Sequence, residues 1–285
     1  MTAMTALHLA KARAFHALHD NGSILALANA WDVASARLVA QAGAPAVATT
    51  SAGVAWSLGA ADGDLLARDR ALDLIGRVVV AVDVPVSADI ESGFGVDPAG
   101  VAETIQGVLA VGAVGVNIED ACYRAANPLR PIADQTARIA AAREVADTAG
   151  IPLFINARID TYLRQVGEPA ERLDATVVRA TAYLAAGANG IFVPGVIDPA
   201  TISALVAGIP APLNILAGPG APDVAQLAKL GVARVSVGSS IAAAAYGVVR
   251  RATEELMSTG GYTELAGGLD YGEVNALLAH DDTSG

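Results

Sequence analysis

Short apolar runs recur along this chain, each followed by an alanine-rich stretch of helical character, and that rhythm limits the folds open to it. The runs cover residues 24–28, 46–50, 84–90, 114–118, 153–157, 190–193, 213–216 and 234–237. They lack polar alternation, as expected of parallel strands buried on both faces. The segments 33–42, 71–81, 98–111, 132–149, 173–186, 199–207 and 222–230 read as helices. Many end at a glycine, such as Gly43, Gly112, Gly150, Gly187 and Gly231, which suits the left-handed residue that often stops a helix. Eight strand–helix repeats predict a (β/α)8 TIM barrel over residues 20–245. A doubly wound open sheet is the alternative. No composition break divides residues 1–285, so a single barrel domain is expected, with a C-terminal helical tail over 246–285.

Composition narrows the classes of function. Hydrophobic residues make up 53% and charged residues 16%, the opposite of a disordered chain. One cysteine, Cys122, excludes a disulfide scaffold. A net charge of −11 argues against a nucleic-acid surface. No apolar stretch has the length and freedom from charge of a membrane span, and residues 1–9 lack the pattern of a secretory signal. A cytoplasmic enzyme acting on a small molecule is the expectation, with no nucleic-acid or membrane partner.

In such a barrel the chemistry sits at the C-terminal ends of the strands. Those ends carry Asn29 and Asp32, then Thr49, Thr50 and Ser51, then Asp89 and Glu91. Asn117, Glu119 and Asp120 follow, then Asn156, Arg158 and Asp160, then Asn214, and finally Ser236, Ser239 and Ser240. Asp89 and Glu91 are two apart, so a regular strand turns both side chains the same way. Glu119 lies level with them on the next strand. Three converging carboxylates repel one another unless a cation intervenes, and an all-oxygen set favours Mg²⁺ or Mn²⁺ over zinc. His8, His16, His19 and His280 lie away from the strand ends, which disfavours a histidine-held metal or a Ser-His-Asp triad. Plainer readings apply elsewhere. Asp32 fits a helix N-cap before Val33. Asp120 and Asp160 fit structural ion pairs, and Cys122 a loop thiol. Gly218, Gly220 and Gly238 leave open a phosphate-binding barrel that would not depend on Asp89.

These residues resemble the isocitrate lyase / phosphoenolpyruvate mutase superfamily. The resemblance is carried by Asn29-Ala-Trp-Asp32, Thr50-Ser-Ala-Gly53, Asp89-Ile-Glu-Ser-Gly-Phe-Gly95, Gly115-Val-Asn-Ile-Glu-Asp120 and Asn156-Ala-Arg-Ile-Asp160. It implies a Mg²⁺-dependent enzyme that makes or breaks a C–C or P–C bond beside a 2-oxo acid. By position it implies Asp89, Glu91 and Glu119 around the metal. Substrate would meet Thr50, Ser51, Ala52, Asp89, Arg158 and Asn214. Glu119, Arg158 and Asp62 would serve the chemistry, with Asn127 on a closing loop over 121–134. Arg124 and Arg130 on that loop are placed to reach a distal acidic group. The resemblance also implies a homo-oligomer, a dimer or tetramer, with the C-terminal helix exchanged between subunits.

Departures from the family pattern narrow the activity. The lyases of this family carry a Lys-Lys/Arg-Cys-Gly-His loop whose cysteine acts as an acid. Here that place is Asn127, and Cys122 stands five residues too early. Tricarboxylate cleavage is therefore disfavoured. Asn127 matches the phosphonopyruvate-type members, but Ala125 replaces their lysine and Pro194 their histidine. What remains is cleavage next to a small 2-oxo acid of the oxaloacetate type. P–C chemistry on phosphonopyruvate is the alternative.

Overall fold

In the computed structural model, residues 3–20, 22–123 and 125–279 are described. Arg124 and the 280–285 terminus lie outside them. Helix α1 (Ala3–Asp20) leads into β1 (Leu25–Leu27) and β2 (Asn29–Ala30). There follow α2 (Val33–Gln41), β3 (Val47–Thr49), α3 (Ser51–Ser57), α4 (Arg68–Ala81), β4 (Val86–Asp89) and α5 (Pro98–Ala110). The middle of the chain forms β5 (Gly115–Glu119), α6 (Ile132–Ala149), β6 (Phe154–Arg158), α7 (Arg172–Ala185) and β7 (Gly190–Val193). The last part forms α8 (Pro199–Gly208), β8 (Leu213–Leu216), α9 (Val224–Lys229), β9 (Arg234–Ser236), α10 (Ser240–Thr259) and α11 (Tyr271–Leu278).

All pairings in the sheet are parallel, and the barrel closes through its first strand. β1 pairs with β9, while β2 pairs with β3. The two are one chain segment bent at Ala28, so nine short strands make the eight staves of a TIM barrel. Asn29 secures the bend. Its Oδ1 accepts from the Val237 and Gly238 N–H groups at 3.0 and 2.9 Å, and its Nδ2 donates to the Thr49 carbonyl at 3.0 Å. One amide thus spans the seam.

The layer between sheet and helices is aliphatic, with Val116, Ile118, Ile155, Ile191 and Ile215 fully buried, while Asn117, Asn156, Asn214 and Arg234 bond one another inside the barrel. Asp32 caps α2, accepting from the Ser35 N–H at 2.7 Å in a reciprocal capping box. That bears out the N-cap reading of this residue.

Two helices were not foreseen. The short α3 follows β3 directly, with Thr50 as its N-cap. The long α1 closes the N-terminal end of the barrel. His8, Lys11 and His16 on α1 each bond the carbonyl of a residue leading into a strand, those of Ala113, Val82 and Pro152. Phe15 of α1 enters the barrel floor against Gly115, where a Cβ would stand 2.7 Å from the ring. His19 stacks on Phe154 at 3.9 Å between ring centroids. At the other end of the chain, α11 packs against α2 of its own barrel, held by Arg37 to the carbonyls of Leu277 and Ala279. The exchanged-helix expectation concerns a second copy; within one chain this is where the helix lies. Among the described residues no helix is long and apolar enough to cross a membrane.

Replacing Asn29 by Ala strands two N–H groups and one carbonyl, and should cost about 2–4 kcal/mol in urea unfolding. Burial, reinforced by Arg234, pushes the His19 pKa down to about 3. The unfolded chain takes up that proton near pH 6.5 and the folded chain does not. Stability present above pH 6.5 is therefore lost on acidification, by up to about 1.4 kcal/mol per pH unit. In His19→Phe this part of the acid slope between pH 6 and 4.5 should disappear.

Candidate active site

The strand register decides which side chains meet at the mouth. Asp89 ends β4 opposite Asn117, and Glu119 ends β5 opposite Arg158. Asp89 is held in place by its neighbours. Its Oδ2 accepts from the backbone N–H and the hydroxyl of Ser51 at 3.1 and 3.0 Å, and its own N–H donates to Thr49 Oγ1 at 2.8 Å. Thr50, Ser51 and Ala52 therefore stand at the start of α3 beside Asp89, where the sequence placed a substrate-binding segment.

Arg158 is fixed by two carboxylates. Its Nη1 lies 2.5 Å from Glu119 Oε2, and its Nε and Nη2 lie 2.6 and 2.9 Å from the two oxygens of Asp160. Asp160 also receives Arg164 at 3.2 Å. Burial pushes the Glu119 pKa up, and Arg158 pulls it down. The neighbouring Asp120 is wholly buried. It accepts from the Asp160 N–H, Arg179 and the Tyr183 hydroxyl at 2.9, 3.0 and 2.9 Å. Asp120 and Asp160 thus have the structural ion-pair roles expected of them, and Asp160 also sets the orientation of Arg158.

Glu91 departs from the same-face expectation. β4 stops at Asp89, and Glu91 beyond it adopts a left-handed backbone with φ of 51°. The alternation of a strand no longer applies there. The buried Glu91 side chain turns under the 60s loop, where Oε2 accepts from the Gly63 N–H at 2.9 Å and from the Asp64 N–H. Its Oε1 is buried without a hydrogen-bond partner among the described residues. Burial raises its pKa to about 7, against the Asp64 N–H, which lowers it. Asp64 and Phe94 are also left-handed, with φ of 58° and 50°. Three such non-glycine residues in adjoining loops store strain, of the kind that clusters at functional sites.

Asp62 stands on the 60s loop at the rim. It is open to solvent on one side, yet it is partly desolvated where it faces the mouth. That desolvation, followed by the Asp89 charge, raises its pKa, while Arg158 and Ser51 oppose the rise. Asn214 lies deeper. Its Oδ1 accepts from Asn156 at 3.1 Å, and its amide donates to Ser236 Oγ at 3.2 Å, inside the barrel below the mouth. Asn127 is exposed on the loop after β5, where its Oδ1 accepts from the Leu129 N–H at 3.0 Å. The structure therefore brings Asp62, Asp89, Glu119, Arg158 and the Thr50–Ala52 segment to one place. It leaves Asn127 and Asn214 outside that group.

Among the described residues no three His, Cys, Asp or Glu side chains are gathered closely enough to hold an ion by themselves. Glu91 and Glu119 are engaged by protein donors, and Asp89 keeps only hydroxyl and amide partners. This donor set fits an ion such as Mg²⁺, which takes one or two carboxylates and retains several waters. The partnerless Oε1 of Glu91 is a further acceptor.

Several residues here carry no sequence signal. Arg138 of α6 is buried and donates to the carbonyls of Gly95, at 3.0 Å, and Val96. It pins the loop after Asp89. Tyr123 donates its hydroxyl to Glu119 Oε1. Neither lies in a spacing pattern that points to a site.

Comparison with known proteins identifies the family. A model of the phosphoenolpyruvate phosphomutase family matches residues 15–257. An uncharacterized protein of Mycobacterium tuberculosis is 39% identical over 227 residues, which is 79% of this chain and 81% of its own. A crystal structure from Burkholderia cenocepacia J2315, provisionally described as a lyase/mutase, has a TM-score of 0.90 at 40% identity. It covers 97% of this chain and 98% of that one. Phosphonopyruvate hydrolase in complex with oxalate and Mg²⁺ has a TM-score of 0.81 at 27% identity, covering 94% of each chain. Enzymes named 2-methylisocitrate lyase, phosphonopyruvate hydrolase and oxaloacetate decarboxylase are among the curated relatives.

Removing Asp160 tests the anchoring of Arg158. Asp160→Ala leaves two guanidinium groups short of a counter-charge and should destabilise the protein by about 3 kcal/mol or more in urea unfolding. A loss below about 1 kcal/mol would mean that Glu119 alone holds Arg158.

Proposed function

The chain belongs to the phosphoenolpyruvate phosphomutase family, and from that premise we propose that it is a Mg²⁺-dependent enzyme cleaving the C–C bond next to a small 2-oxo diacid of the oxaloacetate class. Mn²⁺ is an alternative ion. One observation carries the reading: a carboxylate held by hydroxyl and amide donors, Asp89, shares the mouth with an arginine fixed by two carboxylates, Arg158. The oxalate and Mg²⁺ bound by the phosphonopyruvate hydrolase relative support it. The cytoplasm is the proposed location and a homo-oligomer the proposed state. Val248, Val249, Leu256 and Met257 of α10 are exposed and give such an assembly an apolar face.

Asp89 would hold the ion directly, with Glu91 and Glu119 acting through water. An ion bound there would supply positive charge to the 2-oxo acid as the bond breaks. The Thr50–Ala52 segment binds the carboxylate and sets its orientation beside Asp89. Arg158 faces the oxygen that gains charge as the bond breaks, and being already oriented it requires no reorganisation at that moment. In decarboxylation the C3–C4 pair stays on the pyruvate fragment as an enolate, CO₂ leaves, and a proton is added at C3. In hydrolysis water adds at C2 and the C2–C3 bond breaks, giving oxalate and acetate. Asp62 at the rim would deliver the proton to C3 in either case. Closure of the loop bearing Asn127 would exclude water and favour decarboxylation. Asn214 supports the site from below through Asn156 and Ser236.

A second reading is cleavage of the P–C bond of phosphonopyruvate. Asn127, at the place where phosphonopyruvate-type members carry asparagine, favours it.

The test is an NMR time course with Mg²⁺ and, in separate samples, oxaloacetate, methylisocitrate and phosphonopyruvate, each with an EDTA control. EDTA-sensitive pyruvate, or oxalate plus acetate, from oxaloacetate is the expected result. Arg158→Ala should lower its rate by about 10²–10³-fold. Turnover of phosphonopyruvate alone would replace this reading with the second. Full activity in EDTA, or in Arg158→Ala, would remove the mechanism.

A further inference from the structure

Beside the mouth lies a second hollow that the proposed reaction does not use. It has a volume of about 340 Å³ and is lined by Gly63, Asp64, Phe94, Cys122, Tyr123 and Arg130. Tyr123 belongs to both spaces. Its hydroxyl donates to Glu119, the partner of Arg158, and its ring forms part of the hollow's wall.

The ring is held from several directions. Gly63, with φ of +102°, backs onto it, and a Cβ there would stand 3.0 Å from the ring. The Arg164 guanidinium lies 4.4 Å from the ring centroid, a cation–π distance. The loop carrying Tyr123 has a narrow neck. The Cys122 N–H donates to the Pro128 carbonyl and the Arg130 N–H to the Asp120 carbonyl, both at 2.8 Å, and Ala121 bridges to Leu129. Behind the ring, Arg130 is fixed to Asp134 and Ser92 at 3.3 and 3.2 Å. Its Nε is buried without a partner among the described residues.

We propose that Tyr123 is a specificity-determining wall: its ring closes the reaction site off from the Arg130 hollow and limits the substrate to a short diacid. This rests on the 2-oxo diacid reading of the mouth. With the ring present, a distal carboxylate one methylene further from the keto group meets the phenol. With the ring absent, mouth and hollow join, and Arg130 offers a cation to that carboxylate. A single methylene in a shaped pocket is worth about 10–200-fold in discrimination. That is the scale on which such a wall acts.

The experiment is calorimetric binding of oxalate and of 2-oxoglutarate to the full-length Mg²⁺-loaded protein. Wild type, Tyr123→Phe and Tyr123→Ala are compared, each checked for folding by thermal unfolding. The readout is the ratio of the two affinities. Tyr123→Ala should shift that ratio towards 2-oxoglutarate by about 10-fold or more. Tyr123→Phe keeps the ring and loses only the bond to Glu119, so its ratio should stay within about 3-fold of wild type. An unchanged ratio in a folded Tyr123→Ala overturns the proposal, and so does an equal shift in both variants, which would assign the effect to the hydroxyl. Oxalate binding to none of the three refutes the reading of the mouth and the wall with it. Oxalate binding with no shift in the ratio refutes the wall alone.

Discussion

Gathering carboxylates at one end of a barrel is the constraint that shapes the rest of this molecule. Asp89, Glu119 and Asp160 lie at or just past the ends of three neighbouring strands, with Glu91 and Asp120 beside them, and four of these five are fully buried. Burying unpaired charge at this density would cost more than the fold can supply. Each group therefore has an assigned compensation. Arg158 bridges Glu119 and Asp160, Arg179 and Tyr183 satisfy Asp120, and two loop N–H groups face Glu91. Asp89 and Glu91 differ, because their partners are hydroxyl and amide donors without a cation, and of the two only Asp89 is not fully buried. That difference makes Asp89 the natural place for an external positive charge.

The compensating contacts also build the loops. Glu91 turns out of line and draws the 60s loop over the mouth, which carries Asp62 to the rim. Arg138 reaches from α6 to hold the loop after Asp89 by its carbonyls. The left-handed backbones of Asp64, Glu91 and Phe94 persist because these bonds hold them there. The site is thus kept by a shell of arginines and backbone amides outside the reacting residues. Its rigidity and the cost of its charges have the same origin.

Much of this was legible in the sequence, and the rest had definite reasons to be hidden. Doubly buried parallel strands betray themselves as apolar runs, so the barrel and its helices from Val33 to Leu230, apart from the short α3, could be placed to within a few residues. The Asp32 cap shows in its immediate neighbours. Helix α1 was missed because its work is done at the barrel floor, by His8, Phe15, His16 and His19. Those histidines bond carbonyls and pack on rings there, and no spacing along the chain marks such contacts. The split of the first strand at Ala28 was invisible because it arises from closure, and closure involves residues some 200 positions apart, such as Asn29 and Val237. Strand alternation placed Glu91 beside Asp89, which fails because the strand ends first. Arg138 acts on carbonyls some 40 positions away, and Tyr123, although only four residues from Glu119, stands in no pattern that marks a site.

In the proposed reaction a divalent cation and a 2-oxo acid meet at Asp89. The most direct measurement is a crystal structure of the protein with Mg²⁺ and oxalate. The expected result is the ion about 2.0–2.1 Å from an Asp89 oxygen. Glu91 and Glu119 should be at water-bridged distance, with oxalate between the Thr50–Ala52 segment and Arg158. An ion bound elsewhere, or oxalate seated away from Asp89 and Arg158, would contradict the account.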